Sequence, residues 1–450
     1  MTMKRQYILP LLLVLAFAAC EVLDVEPYHS IPAEEAIESR EDVESAITGT
    51  YSALQAVGYY GRNFIVAADL TADNLTWTGT TAGYNQMDNN TILADNVIVE
   101  GIWRDIYRMI SRANYVIAQI PSVDDLSEAE AETYMAELRF LRAMGHFDLV
   151  RLFGPVPVRT AIASAGDDDL NVPREPVTDV YDQIFDDLDY AKDHIRQERV
   201  FGKASLASVW ALEARVNLYY YAVTGQENYL EVAANAATQV IDDPDTELET
   251  TYADLFDDGF SNESVFEVNF TEQDRNRLAE YFFPTSLSGR REFAPTDMLY
   301  SVFESADERR EASIGLDGDN YYCMKYNDIE TGTDNVYVLR LAEMYLIRAE
   351  ANAIREVELE SARDDINEIR LRAGLPEILT TSPFLLIRQV ADMRQLEFAF
   401  EGHRWFDLVR TGEAIEELEG VHESYQTRFP IPLGELLTNF HEDMYQNEGY

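Results

Sequence analysis

The chain has 450 residues, of which 35 are Lys or Arg and 82 are Asp or Glu, so its formal net charge is −47. This negative charge repels phosphate backbones over most of the surface and excludes general nucleic-acid binding. The 46% hydrophobic and 11% aromatic fractions are typical of a folded protein, and two cysteines are too few for a disulfide framework or a cysteine-based zinc site.

The amino-terminal segment has the pattern of a lipoprotein signal peptide. A short basic region precedes an apolar run over residues 7–19, which is too short to span a bilayer comfortably. A pair of alanines directly before Cys20 resembles a bacterial lipobox, with Phe17 at the position where Leu is usual. We predict that residues 1–19 are a signal peptide and that acylated Cys20 anchors the chain to a membrane. The alternative is an ordinary secretory signal.

Most of the remaining chain has apolar residues at helical spacing, which predicts a mainly all-α fold. Ser39 is a plausible cap for the first of these helices. The predicted helices cover residues 41–54, 102–120, 128–153, 177–195, 205–222, 229–241, 336–354, 359–373, 384–400 and 404–419. Two stretches lack the helical period: residues 68–100, and residues 242–335, which form an irregular, loop-rich lobe. No series of strands indicates a large sheet.

Three helical segments carry closely spaced small residues and look like tetratricopeptide-repeat helices. They cover residues 137–143, 210–219 and 339–351. Small side chains let paired helices approach closely, and stacked pairs bury a continuous core. We therefore expect tetratricopeptide-like helix pairs that support the irregular lobe.

Longer motifs resemble one family over nearly the whole mature chain. They are LRAMGHFDLV at 141–150 with FGPVP at 153–157, VLRLAE at 338–343, RQLEFAFEGHRWFDLVR at 394–410, and FPIP at 429–432 followed by QNEGY at 446–450. Together with the lipobox they resemble the SusD/RagB outer-membrane lipoproteins. Phe440 stands where that family often has Pro.

The resemblance implies a SusD-like fold, with an amino-terminal part at 20–240 and a carboxyl-terminal RagB/SusD part at 241–450. It also implies a lipid-anchored lid on the outer membrane that captures nutrient, typically glycan, for a SusC-like TonB-dependent β-barrel transporter. It implies neither catalysis nor a cofactor. The alternative is a secreted helical glycoside hydrolase that uses a pair of carboxylates.

A ladder of opposite charges follows the third helical motif. Its members are Arg394, Glu397, Glu401, Arg404, Asp407 and Arg410. Their spacing on helices places opposite charges near each other. Neighbouring arginines depress the pKa of a carboxylate, which suits a permanent ion-pair network better than a general acid.

Metal-binding patterns are weak. The six histidines form no HExxH or other close ligand pair. The acidic runs at residues 317–320 and 167–169 could hold a calcium ion, but neither completes the EF-hand spacing, so we interpret both as solvated turns.

Sugar recognition requires flat apolar faces together with amides, carboxylates or arginines for the hydroxyl groups. Trp77 is the tryptophan outside helical periodicity, and we predict that it stacks on a sugar near Asp73, Asn74 and Tyr84. Further candidates in the irregular lobe are Tyr281, Phe283, Tyr300, Tyr321 and Tyr322, with Arg290 and Arg291 nearby. The alternative for Trp77 is packing beneath a loop.

The acidity itself has two interpretations. It is either the solvated surface of an exported protein or an adaptation to high salt. Arginine supplies 31 of the 35 basic residues, and this shortage of lysine is the observation that points to salt adaptation.

Overall fold

The computed structural model describes residues 37–162, 171–256 and 261–450. The predicted signal peptide at residues 1–19, Cys20 and the acidic run at 167–169 lie outside these ranges.

The amino-terminal half is built from helices. They are α1 (Arg40–Ser52), α2 (Asn63–Leu70), α3 (Ala82–Asp88), α4 (Val97–Gln119), α5 (Glu128–Phe153), α6 (Val177–His194), α7 (Leu206–Thr224) and α8 (Glu227–Ile241). Helix α5 has the predicted bounds. Its Ser127 cap accepts a hydrogen bond from the Glu130 amide, the Glu130 carboxylate accepts one from the Ser127 amide, and the helix ends at Gly154 with φ of +75°.

The carboxyl-terminal half has shorter elements in the lobe and long helices after it. The helices are α9 (Leu278–Phe282), α10 (Asp297–Val302), α11 (Arg309–Ser313), α12 (Leu341–Ile354), α13 (Leu359–Arg372), α14 (Pro383–Glu397), α15 (Arg404–Thr411), α16 (Ala414–Glu417) and α17 (Leu433–Thr438). The strands are β1 (Leu75–Trp77), β2 (Ser264–Val268), β3 (Phe293–Pro295), β4 (Ile314–Asp317), β5 (Asn320–Cys323) and β6 (Val336–Arg340).

The long helices pack as consecutive pairs, which confirms the predicted mainly helical architecture. Helix α5 packs on α6, α7 on α8, and α12 on both α8 and α13. Small residues allow these close contacts. At Gly145 of α5, for example, a Cβ atom would lie 2.7 Å from the Met109 Cε atom of α4.

The strands form antiparallel pairs: β1 with β3, β2 with β6, and β4 with β5. The helix predicted over residues 336–354 is therefore wrong at its start, because residues 336–340 form β6. All five residues of β6 and of its partner β2 are buried. A short apolar run of this kind does not distinguish a buried strand from a buried helix, which explains the error.

The stretch predicted as irregular at residues 68–100 also contains regular structure. It includes β1, α3 and the first turn of α4, while α2 reaches into its start. Every residue of α2 is buried, so the sequence shows no amphipathic period there.

Candidate ligand-binding site

The pairing of β1 with β3 joins the two regions in which ligand contacts are predicted. Trp77 lies opposite Phe293 in the sheet register, and the Thr78 amide donates to the Glu292 carbonyl at 2.9 Å. Trp77 is therefore a partly buried strand residue packed beside the lobe, and not the loop residue that the sequence indicates. The strand pair brings its indole next to the segment that carries Arg290 and Glu292.

Tyr281 of α9 lies at the centre of this region. Its ring stacks on Phe293, with 6.1 Å between centroids and 22° between planes. The Arg62 Cζ atom lies 3.9 Å, and that of Arg290 4.7 Å, from the Tyr281 centroid. Guanidinium groups at these distances interact favourably with an aromatic face and fix its position.

Three buried polar atoms of Trp77 and of the segment that precedes β3 have no hydrogen-bond partner among the described residues. They are the indole Nε1 of Trp77, the Nε of Arg291 and the Oε2 of Glu292. A buried polar atom without a partner is costly, and at a surface site a ligand or water can satisfy it. The set contains two donors and one acceptor, which suits a ligand with hydroxyl groups.

Gly79 makes room for the Glu292 carboxylate. A Cβ atom on Gly79 would clash with Glu292 Oε2 and would lie 3.2 Å from Trp77 Nε1. Any side chain at position 79 would therefore displace the carboxylate from the indole. The sequence analysis did not predict a role for Gly79, Glu292 or Arg62. These residues are far apart in the sequence, and only the folded chain brings them together.

The segment that precedes β3 is held rigidly. The amides of Arg290, Arg291 and Glu292 donate to the carbonyls of Glu280, Phe283 and Tyr281, at 2.7, 2.8 and 2.8 Å. Arg291 has φ of +48°, a left-handed conformation that is uncommon for a non-glycine residue. Such backbone strain persists only where surrounding contacts enforce it, and it often marks a ligand site.

A second group of partly exposed aromatic residues lies in the lobe. Phe283 contacts Tyr322 at 4.9 Å between centroids, and Tyr300 stacks on Tyr321 at 4.3 Å. Tyr321 and Tyr322 are in β5, which contacts β3. Because consecutive strand residues point to opposite faces, these two aromatic pairs lie on opposite sides of the β4–β5 hairpin.

Several predicted site residues are packed inside the protein instead. Asn74 and Tyr84 are 0% and 2% exposed; the Asn74 amide donates to Asp69, and the Tyr84 hydroxyl donates to Asn63 at 2.7 Å. The Asp73 carboxylate accepts hydrogen bonds from both Nε and Nη2 of Arg404, each at 2.7 Å. The Asn74, Tyr84 and Asp73 side chains are thus engaged in contacts within the protein.

The six charged residues of the predicted ladder all take part in ion pairs, but mostly with partners elsewhere in the chain. Glu397 pairs with Arg340, Arg309 and Arg372, and Glu401 with Arg340 and Lys325. Burial alone would raise the pKa of Glu397, but the surrounding arginines hold it well below its ordinary value.

Asp407 is the centre of the pairing within the ladder itself. Its carboxylate accepts hydrogen bonds from Arg394 Nε at 2.8 Å and from Arg410 Nε at 2.9 Å. Burial opposes ionisation of Asp407, yet the two arginines lower its pKa. Both Asp407 and Glu397 are therefore poor proton donors at neutral pH.

Within residues 37–162, 171–256 and 261–450, no group of three or more His, Cys, Asp or Glu residues is arranged to hold a metal ion. The acidic run at 317–320 is the turn between β4 and β5, where Gly318 has φ of +61°.

Among the helices of the described ranges, none is long and apolar enough to cross a membrane.

Comparison with known proteins identifies the family. Residues 323–424 match the family model described as "SusD family", and residues 21–218 match one described as "Starch-binding associating with outer membrane". The chain belongs to the SusD-like family. It is 25% identical to SusD-like protein P2 of Formosa agariphila over the full length of both chains. It is 26% identical to the starch-binding protein SusD of Bacteroides thetaiotaomicron, over 76% of each chain.

A solved structure described as a laminarin-binding SusD-like protein superimposes on this chain with a TM-score of 0.81. The two are 25% identical, and the alignment covers 92% of this chain and all of the other. The predicted SusD-like fold is thus confirmed, and this SusD-like chain has its family's helical architecture from end to end of the alignment.

Proposed function

We propose that this SusD-like protein binds oligosaccharide at the surface formed by Trp77, Tyr281, Arg290 and Glu292, and delivers it to a SusC-like TonB-dependent transporter of the outer membrane. The observation that carries the proposal is the partly exposed aromatic surface together with the buried polar atoms of Trp77 and Glu292, which have no hydrogen-bond partner among the described residues.

Oligosaccharides fit this surface chemically. The C–H faces of a pyranose ring pack on aromatic rings, while its hydroxyl groups both donate and accept hydrogen bonds. Trp77 and Tyr281 supply the rings, and the indole N–H, Arg290 and the Glu292 carboxylate supply polar partners. The starch-binding relative and the laminarin-binding structure support a glycan as the ligand.

A binding function is favoured over glycoside hydrolysis. The carboxylates at the site, Glu280 and Glu292, flank the same cation: Arg290 lies 3.6 Å from Glu280 Oε1 and 3.4 Å from Glu292 Oε1. A hydrolase needs two carboxyl groups that are free to act on either side of the scissile bond, whereas these two are both paired with one arginine.

Isothermal titration of the purified protein with laminarin and starch oligosaccharides tests the binding role. We expect saturable binding of at least one glycan without release of reducing ends on prolonged incubation. Hydrolysis that is lost in a Glu280→Gln or Glu292→Gln variant would instead establish the hydrolase.

The membrane anchor is part of the proposal. If acylated Cys20 is the attachment, Cys20→Ser should move the protein from the outer-membrane fraction to the soluble fraction, because acyl chains supply the membrane affinity. A Cys20→Ser protein that stays membrane-bound in cells lacking the transporter would contradict this.

An exposed apolar surface supports a protein partner. The Leu433 amide donates to the Ala94 carbonyl at 2.8 Å, which places α17 beside residues 93–97. Leu437 and Phe440 there are 64% and 79% exposed. Exposed apolar clusters of this kind mark interaction surfaces.

We expect Leu437→Glu to weaken co-purification with the transporter. The matched control is Leu379→Glu, at an 85% exposed position elsewhere in the chain. Equal co-purification of the two variants would exclude this surface.

A further inference from the structure

Two adjoining cavities form a groove lined by residues of α5, α6, α7, α12, α14 and α15, and it shares no residue with the glycan surface proposed above. The cavities have volumes of about 300 and 260 Å³, and both are lined by Ala222 and Arg410. We call them the arginine groove. The arginines that line it are Arg151, Arg388, Arg394, Arg404, Arg410 and Arg428. This concentration of cations is unexpected in a chain with a net charge of −47.

The innermost carboxylates of the groove are already saturated. Asp407 binds Arg394 and Arg410, and both oxygens of Glu350 accept the terminal nitrogens of Arg410. Glu413 at the edge accepts the Thr411 hydroxyl at 3.2 Å, and Asp392 lies near Arg388 and Arg404.

Two buried groups in the groove have unused hydrogen-bonding capacity. The Arg394 side chain is 1% exposed, yet its Nη1 atom has no hydrogen-bond partner among the described residues. The Tyr219 hydroxyl is likewise buried without a partner in that part of the chain. A buried guanidinium nitrogen without an acceptor is costly, so an anionic acceptor placed there would be stabilised.

Further unpaired cations lie at the surface of the groove. Arg388 is exposed in one cavity and Arg428 in the other, and neither forms an ion pair with any residue that the structure describes. Apolar side chains, including Leu218, Ile354 and Leu408, complete the walls. The groove therefore combines a cationic mouth, a buried donor and apolar walls, as small-molecule sites commonly do.

We propose that the arginine groove binds a small organic anion, with its carboxylate or sulfate group held by Arg394 and Arg388 and its body packed against the apolar walls. The proposal does not depend on glycan binding at Trp77, because the two sites share no residue.

The test uses sodium glucuronate as the probe and glucose as its neutral counterpart. Titration of the full-length protein at about 0.15 M salt, where the Debye length is roughly 8 Å, limits the repulsive field of the acidic surface. We expect glucuronate to bind, excess inorganic sulfate to displace it, and glucose not to bind. Equal affinities for glucuronate and glucose, no glucuronate binding, or insensitivity to sulfate would each overturn the proposal.

Two variants locate the site. Arg388→Gln, at an exposed position with no ion pair to break, should weaken glucuronate binding by about tenfold or more. Tyr219→Phe should weaken it by roughly threefold without lowering the melting temperature, because it removes a hydroxyl that has no hydrogen-bond partner among the described residues. Arg363→Gln on α13 is the matched control and should bind normally. Unchanged glucuronate affinity in both groove variants would refute the assignment.

Discussion

Trp77 lies directly opposite Phe293 in a two-stranded antiparallel sheet, although 216 positions of sequence numbering separate them. This single pairing places an indole from the amino-terminal half on the surface of the carboxyl-terminal lobe. It also makes Trp77 part of the packing, so the effects of truncating it on binding and on stability must be separated.

The first prediction concerns Trp77. Trp77→Ala should lower glycan affinity at least about tenfold, since aromatic anchors typically contribute about 2 kcal/mol or more to binding. It should also lower the melting temperature, because the indole packs against the core. Trp77→Phe should preserve stability better and lose only part of the affinity. Titration and thermal unfolding on both variants measure this; unchanged affinity in stably folded Trp77→Ala would move the site to the Tyr300–Tyr322 side of the lobe.

The second prediction concerns Gly79. Gly79→Ala should weaken glycan binding, because the new Cβ would displace the Glu292 carboxylate from its place beside the Trp77 indole. The matched control is Gly49→Ala in α1, where a Cβ meets no atom within 4 Å. Since Gly is unfavourable in a helix, the control should be stabilised by about 0.5–1 kcal/mol and bind normally. Normal glycan affinity in Gly79→Ala would exclude Glu292 from the site.

Third, the ion pairs around Glu397 should control stability and not binding. Glu397→Gln removes one buried charged partner from each of Arg340, Arg309 and Arg372, so we expect a loss of about 3–5 kcal/mol in the free energy of unfolding. Glu360→Gln, at an exposed position, should change it little. Urea unfolding gives both values, and a loss below 1 kcal/mol in Glu397→Gln would show that the network contributes little.

Fourth, Glu267 should make stability depend on pH. Burial raises its pKa to about 7, above the ordinary value near 4.3. Below pH 4.3 the residue is protonated in both states and has no effect. As pH rises towards 7, ionisation increasingly favours the unfolded chain, so the free energy of unfolding decreases.

Glu267→Gln removes this effect; its amide oxygen can still accept from Asn335, and its NH2 group can donate to the Ser264 hydroxyl. The variant should be more stable than the parent by roughly 2–3 kcal/mol at pH 8 and by much less at pH 4.5. Chemical unfolding at the two pH values provides the comparison. A difference between variant and parent that does not change with pH would contradict the prediction.

Fifth, salt should stabilise the protein. Arginines such as Arg309, Arg340 and Arg372 are buried in ion pairs, which leaves the surface strongly acidic. Screening of this self-repulsion should raise the melting temperature by several degrees between dilute buffer and about 1 M salt, where the Debye length is roughly 3 Å. NaCl and KCl should act alike, because screening depends on ionic strength. A melting temperature that is flat over this range would argue against salt adaptation.

The sequence by itself determined most of the long helices and indicated the family. Helix α5 could be predicted to its last residue because a capping box and a Gly-Pro pair mark its ends locally. The SusD-like motifs were recognisable for the same reason: each is a continuous run of residues. Charge spacing likewise indicated that the residues from Arg394 to Arg410 form ion pairs.

Only the tertiary structure decided which of the predicted residues lie at the surface of the proposed site. Burial removed Asn74 and Tyr84 from the site, while a strand pairing brought Glu292 and Gly79 to Trp77. The partners of Glu397 come from three other segments, so spacing along one helix could not identify them. Local patterns encode secondary structure, whereas long-range pairing and exclusion of water depend on how distant segments pack, and these determine which polar atoms remain available for a ligand.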